Sequence, residues 1–437
     1  MQQIDTIIEC KWLLTMTNDQ VLNNHAVAIN ENKIIAIDTI KSINNSYTAK
    51  NNYALKEHAL MPGLINAHTH SPMVLLRSLA DNVNLQNWLH KTIWPAEQAL
   101  MSEEYIKDGF ELAIAEMILN GTTCINEHYF FTKTSAQMCN QLGIRATIGI
   151  WLGEINSNWA QIDNCIDQGV DAIKTNNYEL INYSWAPHST YLLNDSNLRK
   201  LQQINQKHPQ TIHIHCHETA LEIKDSLEKY NKTPIERLHQ FDLLNNKTCL
   251  IHMVHNTKND LNLVNQYGAS IITCPKSNFK LASGIFNTPE AIDNNINLGI
   301  GTDSAASNNQ LSILDEARAL ALNSKIISCC PAAISAYDCL YAATMGNAKA
   351  LGMSKTIGSI ETGKYADLIA INLNHLNTYP QHNIMSLILY AATTEQITHN
   401  WINGIIKMNN RTLVNFDLKE LNAKANNYQQ YTKKLCN

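Results

Sequence analysis

The chain has 437 residues, 45% hydrophobic and 16% charged, a balance that suits a folded protein with a large core and leaves little room for long disordered tails. A net charge of −5, with lysines scattered rather than striped, argues against nucleic acid or a membrane surface as partner and favours a small-molecule substrate. The eleven cysteines are an odd number and never spaced Cys-x-x-Cys, which speaks against a disulfide framework and for reduced thiols in a cytoplasmic protein.

The first residues carry Asp5 and Glu9 within an apolar stretch and lack a basic start, so no signal peptide is expected, and no apolar run approaches a membrane span. Short β-type runs follow at 6–10, 12–16, 25–29 and, after the turn Asn30-Glu31-Asn32, at 33–37, which predicts a small sheet. The texture then changes to apolar strands separated by helical stretches. Eight strand candidates occupy 60–67, 122–128, 143–151, 180–187, 211–217, 248–254, 269–275 and 296–303, with helices such as 104–119 and 311–324 between them. Strand signals return at 366–371 and at the hairpin-like Trp401-Ile-Asn-Gly-Ile405, and a helix is expected from 417 onward. The fold class is therefore α/β: a (β/α)8 barrel over 59–355, a small β-sandwich domain assembled from 1–58 and 356–416, and a terminal helix over 417–437.

A parallel barrel places its chemistry at the C-terminal ends of its strands. Those ends carry His68 and His70, then His188, then His215 with Glu218, then His252, and finally Asp303. Two histidines two apart on an extended chain face one side, as metal ligands must. Imidazoles and a carboxylate suit Zn²⁺ or Fe²⁺, with an open position for a water whose pKa the ion lowers to about 7. Spacing leaves the fifth strand ambiguous, since His213, His215 and His217 alternate and should all face one side. Glu218 could equally cap the next helix. No convincing bridging group for a second ion is found: Lys174 falls in a helix-like stretch and reads as a surface lysine. One divalent ion is expected.

The motifs Pro62-Gly-Leu-Ile-Asn-Ala-His-Thr-His70, Trp94-Pro-Ala-Glu97, Ala186-Pro-His188, His215-Cys-His-Glu218, Cys274-Pro-Lys-Ser-Asn278 and Gly301-Thr-Asp-Ser304 run through nearly the whole chain. In this order they resemble the amidohydrolase superfamily, in its branch of 5′-methylthioadenosine and S-adenosylhomocysteine deaminases. That resemblance implies His68, His70, His215 and Asp303 as ligands of one divalent metal, most often zinc. It implies Glu218, His252 and Asp303 as proton carriers, and Glu97, His188, Glu218 and Trp88 as substrate contacts. The implied activity is hydrolytic deamination of an adenine nucleoside by a homo-oligomer, dimer or tetramer. A guanine, cytosine or triazine aminohydrolase is the nearest alternative, and an inactive barrel used as a scaffold the distant one. Read alone, Glu97 could be a helix-start carboxylate, His188 a loop histidine and Trp88 a core aromatic. Two departures stand out: Ser304 follows Asp303 where many relatives have Gly, and the 151–159 loop has no arginine to meet a substrate's tail.

Overall fold

The computed structural model describes residues 1–155, 157 and 159–435. Eight strands pair in chain order and in parallel to form the barrel: Leu64–Thr69, Thr122–Glu127, Arg145–Leu152, Ile181–Pro187, Thr211–Cys216, Thr248–His252, Ser270–Thr273 and Asn297–Ile300. The first three are buried at every position, as expected of parallel strands covered by helices on one side and barrel filling on the other. The seam closes where Thr69 bridges Asp303, whose N–H donates to the His68 carbonyl at 3.0 Å. A side-chain clasp secures the same place: the Asn66 amide donates to the Thr302 hydroxyl at 2.7 Å, and its carbonyl accepts the Thr302 N–H at 3.0 Å.

The termini build a second eight-stranded sheet, antiparallel except where Gln2–Leu14 runs alongside Tyr47–Pro62. Two corrections to the sequence reading fall here. The runs 6–10 and 12–16 are one strand, Gln2–Leu14, whose pairing slips between Cys10 and Trp12; that bulge breaks the alternation a strand would otherwise show. The run 60–67 is two strands: Tyr47–Pro62 belongs to the terminal sheet, and the barrel starts at Leu64. Gly63 makes the handover, because a Cβ there would lie 2.1 Å from Thr123. The hairpin at Asn403-Gly404 joins Ile397–Ile402 to Ile405–Asn409, both turn residues having positive φ, as a two-residue type I′ turn requires.

Barrel and terminal sheet are pinned by a buried ion pair. Arg145 donates to Asp367 at 2.7 and 3.1 Å, and the Asn403 N–H donates to the same carboxylate at 2.7 Å. The terminal helix Leu418–Leu435 lies on the helix Glu103–Leu119, with Lys424 bonded to Glu111 at 2.6 Å and Leu421 buried. Lys174 is exposed in the last turn of Ile162–Thr175. Among the described residues no helix is long and apolar enough to cross a membrane.

Candidate metal centre and active site

At the C-terminal mouth of the barrel one donor atom from each of His68, His70, His215 and Asp303 lies within 4.8 Å of the others, and all four residues are buried. Nε2 of His215 is 3.1 Å from Nε2 of His68, and Asp303 Oδ1 is 3.6 Å from His68 Nε2 and 3.3 Å from His70 Nε2. Nitrogens placed 2.0–2.1 Å from a tetrahedral ion stand about 3.3 Å apart, so this spacing suits Zn²⁺ or an ion of its size.

Backbone carbonyls orient two of these candidate ligands. Nδ1–H of His70 donates to the His128 carbonyl at 2.6 Å, and Nδ1–H of His215 to the His188 carbonyl at 2.6 Å. Each ring is thereby held in the tautomer that turns a bare Nε2 lone pair inward. Lone pairs aimed at one another and at a carboxylate repel, and a cation at their focus removes the conflict. The titration behaviour of His68 and His215 agrees. Burial drives His68 down to about 3 and lowers His215, keeping both neutral, the form that binds metal. Burial also lowers His70, but the Asp303 carboxylate beside it outweighs that and holds it protonated more readily than usual. Asp303 in turn stays well below its ordinary range, because contacts with His68 and His70 overcome the burial that would raise it.

Asp303 is itself steered. Its Oδ2 accepts the Ser277 hydroxyl at 2.6 Å and the Ser307 hydroxyl at 3.2 Å, and its Oδ1 accepts the Ser304 N–H at 2.8 Å. Ser304 also caps the short turn that follows, its hydroxyl accepting the Ser307 N–H at 3.0 Å. The serine that departs from the family pattern thus shapes the loop holding the carboxylate.

The fifth strand is resolved unexpectedly. His213 is buried against His68 Nδ1 at 2.9 Å, with the Asn126 amide 2.6 Å from its other nitrogen. His217 does not share their face. The strand ends at Cys216, His217 takes a positive φ of 54°, and its Nδ1 donates to the His255 carbonyl at 3.0 Å. A second trio, His68, His128 and His213, also clusters, but there His68 and His213 contact each other directly. His128, overlooked in the sequence, is buried with its ring 4.8 Å from that of His215 and neither nitrogen partnered.

The other expected residues line one pocket of about 350 Å³ around this cluster. Glu218 follows the fifth strand, 3.8 Å from Nε2 of His252, and burial together with Asp303 pushes its carboxyl up to about 8. The His252 Nδ1–H donates to the Asn278 carbonyl oxygen at 2.9 Å, leaving Nε2 free to accept a proton. Glu97, on the helix Trp94–Leu100, accepts the Tyr129 hydroxyl at 2.5 Å; burial raises its carboxyl to about 7 although that bond lowers it. His188 is held neutral by burial, at about 3, and Trp88 contributes a buried ring from the turn Leu85–Trp88. Glu222 was not anticipated: its carboxylate accepts the Glu218 N–H at 2.8 Å and fixes the backbone from which Glu218 projects.

The family model described as Amidohydrolase family matches residues 59–408. A 5-methylthioadenosine/S-adenosylhomocysteine deaminase of Teredinibacter turnerae is 36% identical over 430 residues, covering 98% of this chain and 97% of that one. A 5′-deoxyadenosine deaminase of Methanopyrus kandleri is 32% identical, over 93% and 95% of the two chains. Among solved structures, an adenosine deaminase from Xanthomonas campestris with bound zinc superposes with a TM-score of 0.97 at 36% identity, over 99% of both chains.

Proposed function

The chain belongs to the amidohydrolase family, and we propose that it is the metal-dependent hydrolase that converts an adenine nucleoside and water to the inosine-type product and ammonia. The observation that carries this reading is the convergence of three imidazoles and a carboxylate on one point, flanked by Glu218 and His252, in a chain similar to nucleoside deaminases over nearly its full length. Zinc is the ion proposed, on the nitrogen-rich donor set and the zinc-bound relative. When bound, such an ion supplies a nucleophile from water at neutral pH.

The chain's own residues would do the rest. Glu97 and His188 hold the ribose, and Trp88 covers the base, so that C6 of the purine faces the four donors. His252, its proton fixed on Nδ1 by Asn278, takes a proton from the attacking water at Nε2. Glu218, kept protonated near neutrality by burial, donates to N1 of the ring as electron density moves there from the forming C6–O bond. Asp303, ionised at rest, takes the proton of the new C6 hydroxyl and passes it to the amino group, which leaves as ammonia as the C6 carbonyl forms; His252 then returns its proton to Glu218, 3.8 Å away. Support for these roles comes from burial, tautomer and spacing.

An ammonia-release screen over adenine nucleosides, guanine, cytosine and triazines, with metal quantified in the same sample, tests the reading. Turnover of adenine nucleosides with about one zinc per chain is expected; turnover confined to the other substrates refutes it.

A further inference from the structure

Resting on the adenine-nucleoside reading, we propose that the substrate's 5′ end lodges in an aromatic compartment without a cation. The enzyme then selects nucleosides with small, uncharged, apolar 5′ substituents, such as 5′-methylthioadenosine and 5′-deoxyadenosine, over the zwitterionic tail of S-adenosylhomocysteine.

The pocket lining joins the metal-donor residues to a run of aromatic rings. Aromatic rings lead away from the metal ligands, with centroids 6.1 Å apart from His70 to Tyr129, 4.8 Å from Tyr129 to Phe130 and 4.4 Å from Phe130 to Trp159. Trp151 packs 4.8 Å from Phe130, and Leu85, Leu89 and Ile155 also line the pocket. The first of these rings, Tyr129, touches Glu97, whose carboxyl accepts the Tyr129 hydroxyl at 2.5 Å, so a ribose held at Glu97 with C6 at the metal donors has these rings beside its 5′ carbon.

Charge reinforces the choice. Among the described residues the lining contains no lysine or arginine; its carboxyl groups are Glu97, Glu154, Glu218 and Asp303, of which burial keeps Glu218 protonated near neutrality. The side chain that could have supplied a cation, Lys280 beside the lining residue Leu281, spends its three donors elsewhere: on Asp81 at 2.6 Å, Asn309 at 2.8 Å and the Ala306 carbonyl at 3.4 Å. Glu154 is likewise engaged, accepting the Asn194 N–H at 3.0 Å and the Asn197 amide at 2.6 Å. A zwitterionic amino-acid tail entering here loses the water around both its charges without finding a lysine or arginine for its carboxylate. A methylthio group gains apolar burial at no such cost.

The test is kcat/KM of the metal-loaded enzyme on two pairs of substrates. 5′-Methylthioadenosine should exceed S-adenosylhomocysteine by about 100-fold, and 5′-deoxyadenosine should exceed adenosine by about tenfold, its competitor burying an unpartnered hydroxyl. A ratio under about tenfold for the first pair overturns the proposal. Trp159→Ala should raise KM for 5′-methylthioadenosine about tenfold with kcat kept; an unchanged KM overturns the placement of the tail. Failure to deaminate any adenine nucleoside, with metal present, sinks the underlying functional reading as well and is told apart by the absence of turnover in all four assays.

Discussion

Asn278 makes one bond on which the proposed chemistry depends, and replacing it with alanine isolates that bond. Its carbonyl oxygen accepts the His252 Nδ1–H at 2.9 Å, and both residues are buried, with 1% of each exposed. In Asn278→Ala the donor on Nδ1 has no partner in a dry site, which costs about 1–3 kcal/mol, or the ring moves its proton to Nε2, where it blocks the base. Either route lowers the population of competent enzyme, and 1–3 kcal/mol corresponds to a fall of about 5- to 150-fold in kcat. KM should change little, because no substrate contact is removed. Asn278→Asp keeps the acceptor and adds a negative charge, so it should restore most of the rate at high pH. By favouring the charged imidazole it should also move the acid limb of the kcat profile upward in pH. Steady-state kinetics between pH 5 and 9, with metal content measured for each variant, make the comparison. A kcat for Asn278→Ala within about threefold of the parent, at equal metal content, would refute the reasoning.

Glu218→Gln should lower kcat by about 10²- to 10⁴-fold while metal content stays at the parent's level, measured by ammonia release and elemental analysis. In the parent, kcat should decline as pH rises past about 8, where the Glu218 carboxyl gives up its proton. Glu222→Gln tests a buried acid raised to about 8 chiefly by burial, whose second oxygen has no partner. Because the folded state prefers the protonated form, its relative stability is full below the unfolded value near 4.5 and is lost as pH rises toward 8. The variant should therefore melt higher than the parent at pH 8 and alike at pH 4.5; equal Tm values at pH 8 would contradict this. Asp367→Ala leaves Arg145 buried without its partner and should destabilise the chain by about 3–5 kcal/mol, read from denaturant unfolding.

The barrel was legible because parallel strands buried on both faces appear as uninterrupted apolar runs, and the Asn-Gly hairpin because its two residues tolerate positive φ. The junction at Gly63 was masked because apolar residues stand on both sides of it, although the Pro62-Gly63 pair is itself a breaker signal. The turn at His217 escaped for a different reason: a histidine with positive φ gives no sign in the sequence, so alternation was carried one residue too far. The carbonyls of His128 and His188 that orient the ligand rings belong to the backbone, which composition cannot distinguish. Ser277 reaches Asp303 across 26 positions of chain, a distance no local pattern spans. His128 had a signal, for it stands at the end of the second barrel strand, where histidines elsewhere in the chain were singled out. Cys329 and Cys330, for which the sequence offered no account, end the helix Ile313–Ser328, Cys329 in the left-handed conformation and the Cys330 N–H donating to the Lys325 carbonyl at 3.2 Å.

The continuous ribbon through Gly63 ties the two halves of the molecule mechanically. The segment bearing His68 and His70 starts two bonds beyond a strand clamped between Gln2–Leu14 and Leu368–Asn372, so both ends of the polypeptide brace the ground from which those ligands project. A barrel excised from its flanks would free the root of that segment and let the geometry around the ion drift. Attempts to shorten this protein should therefore keep both termini, and substitutions that loosen the outer sheet should register as weakened metal affinity well away from the ion itself.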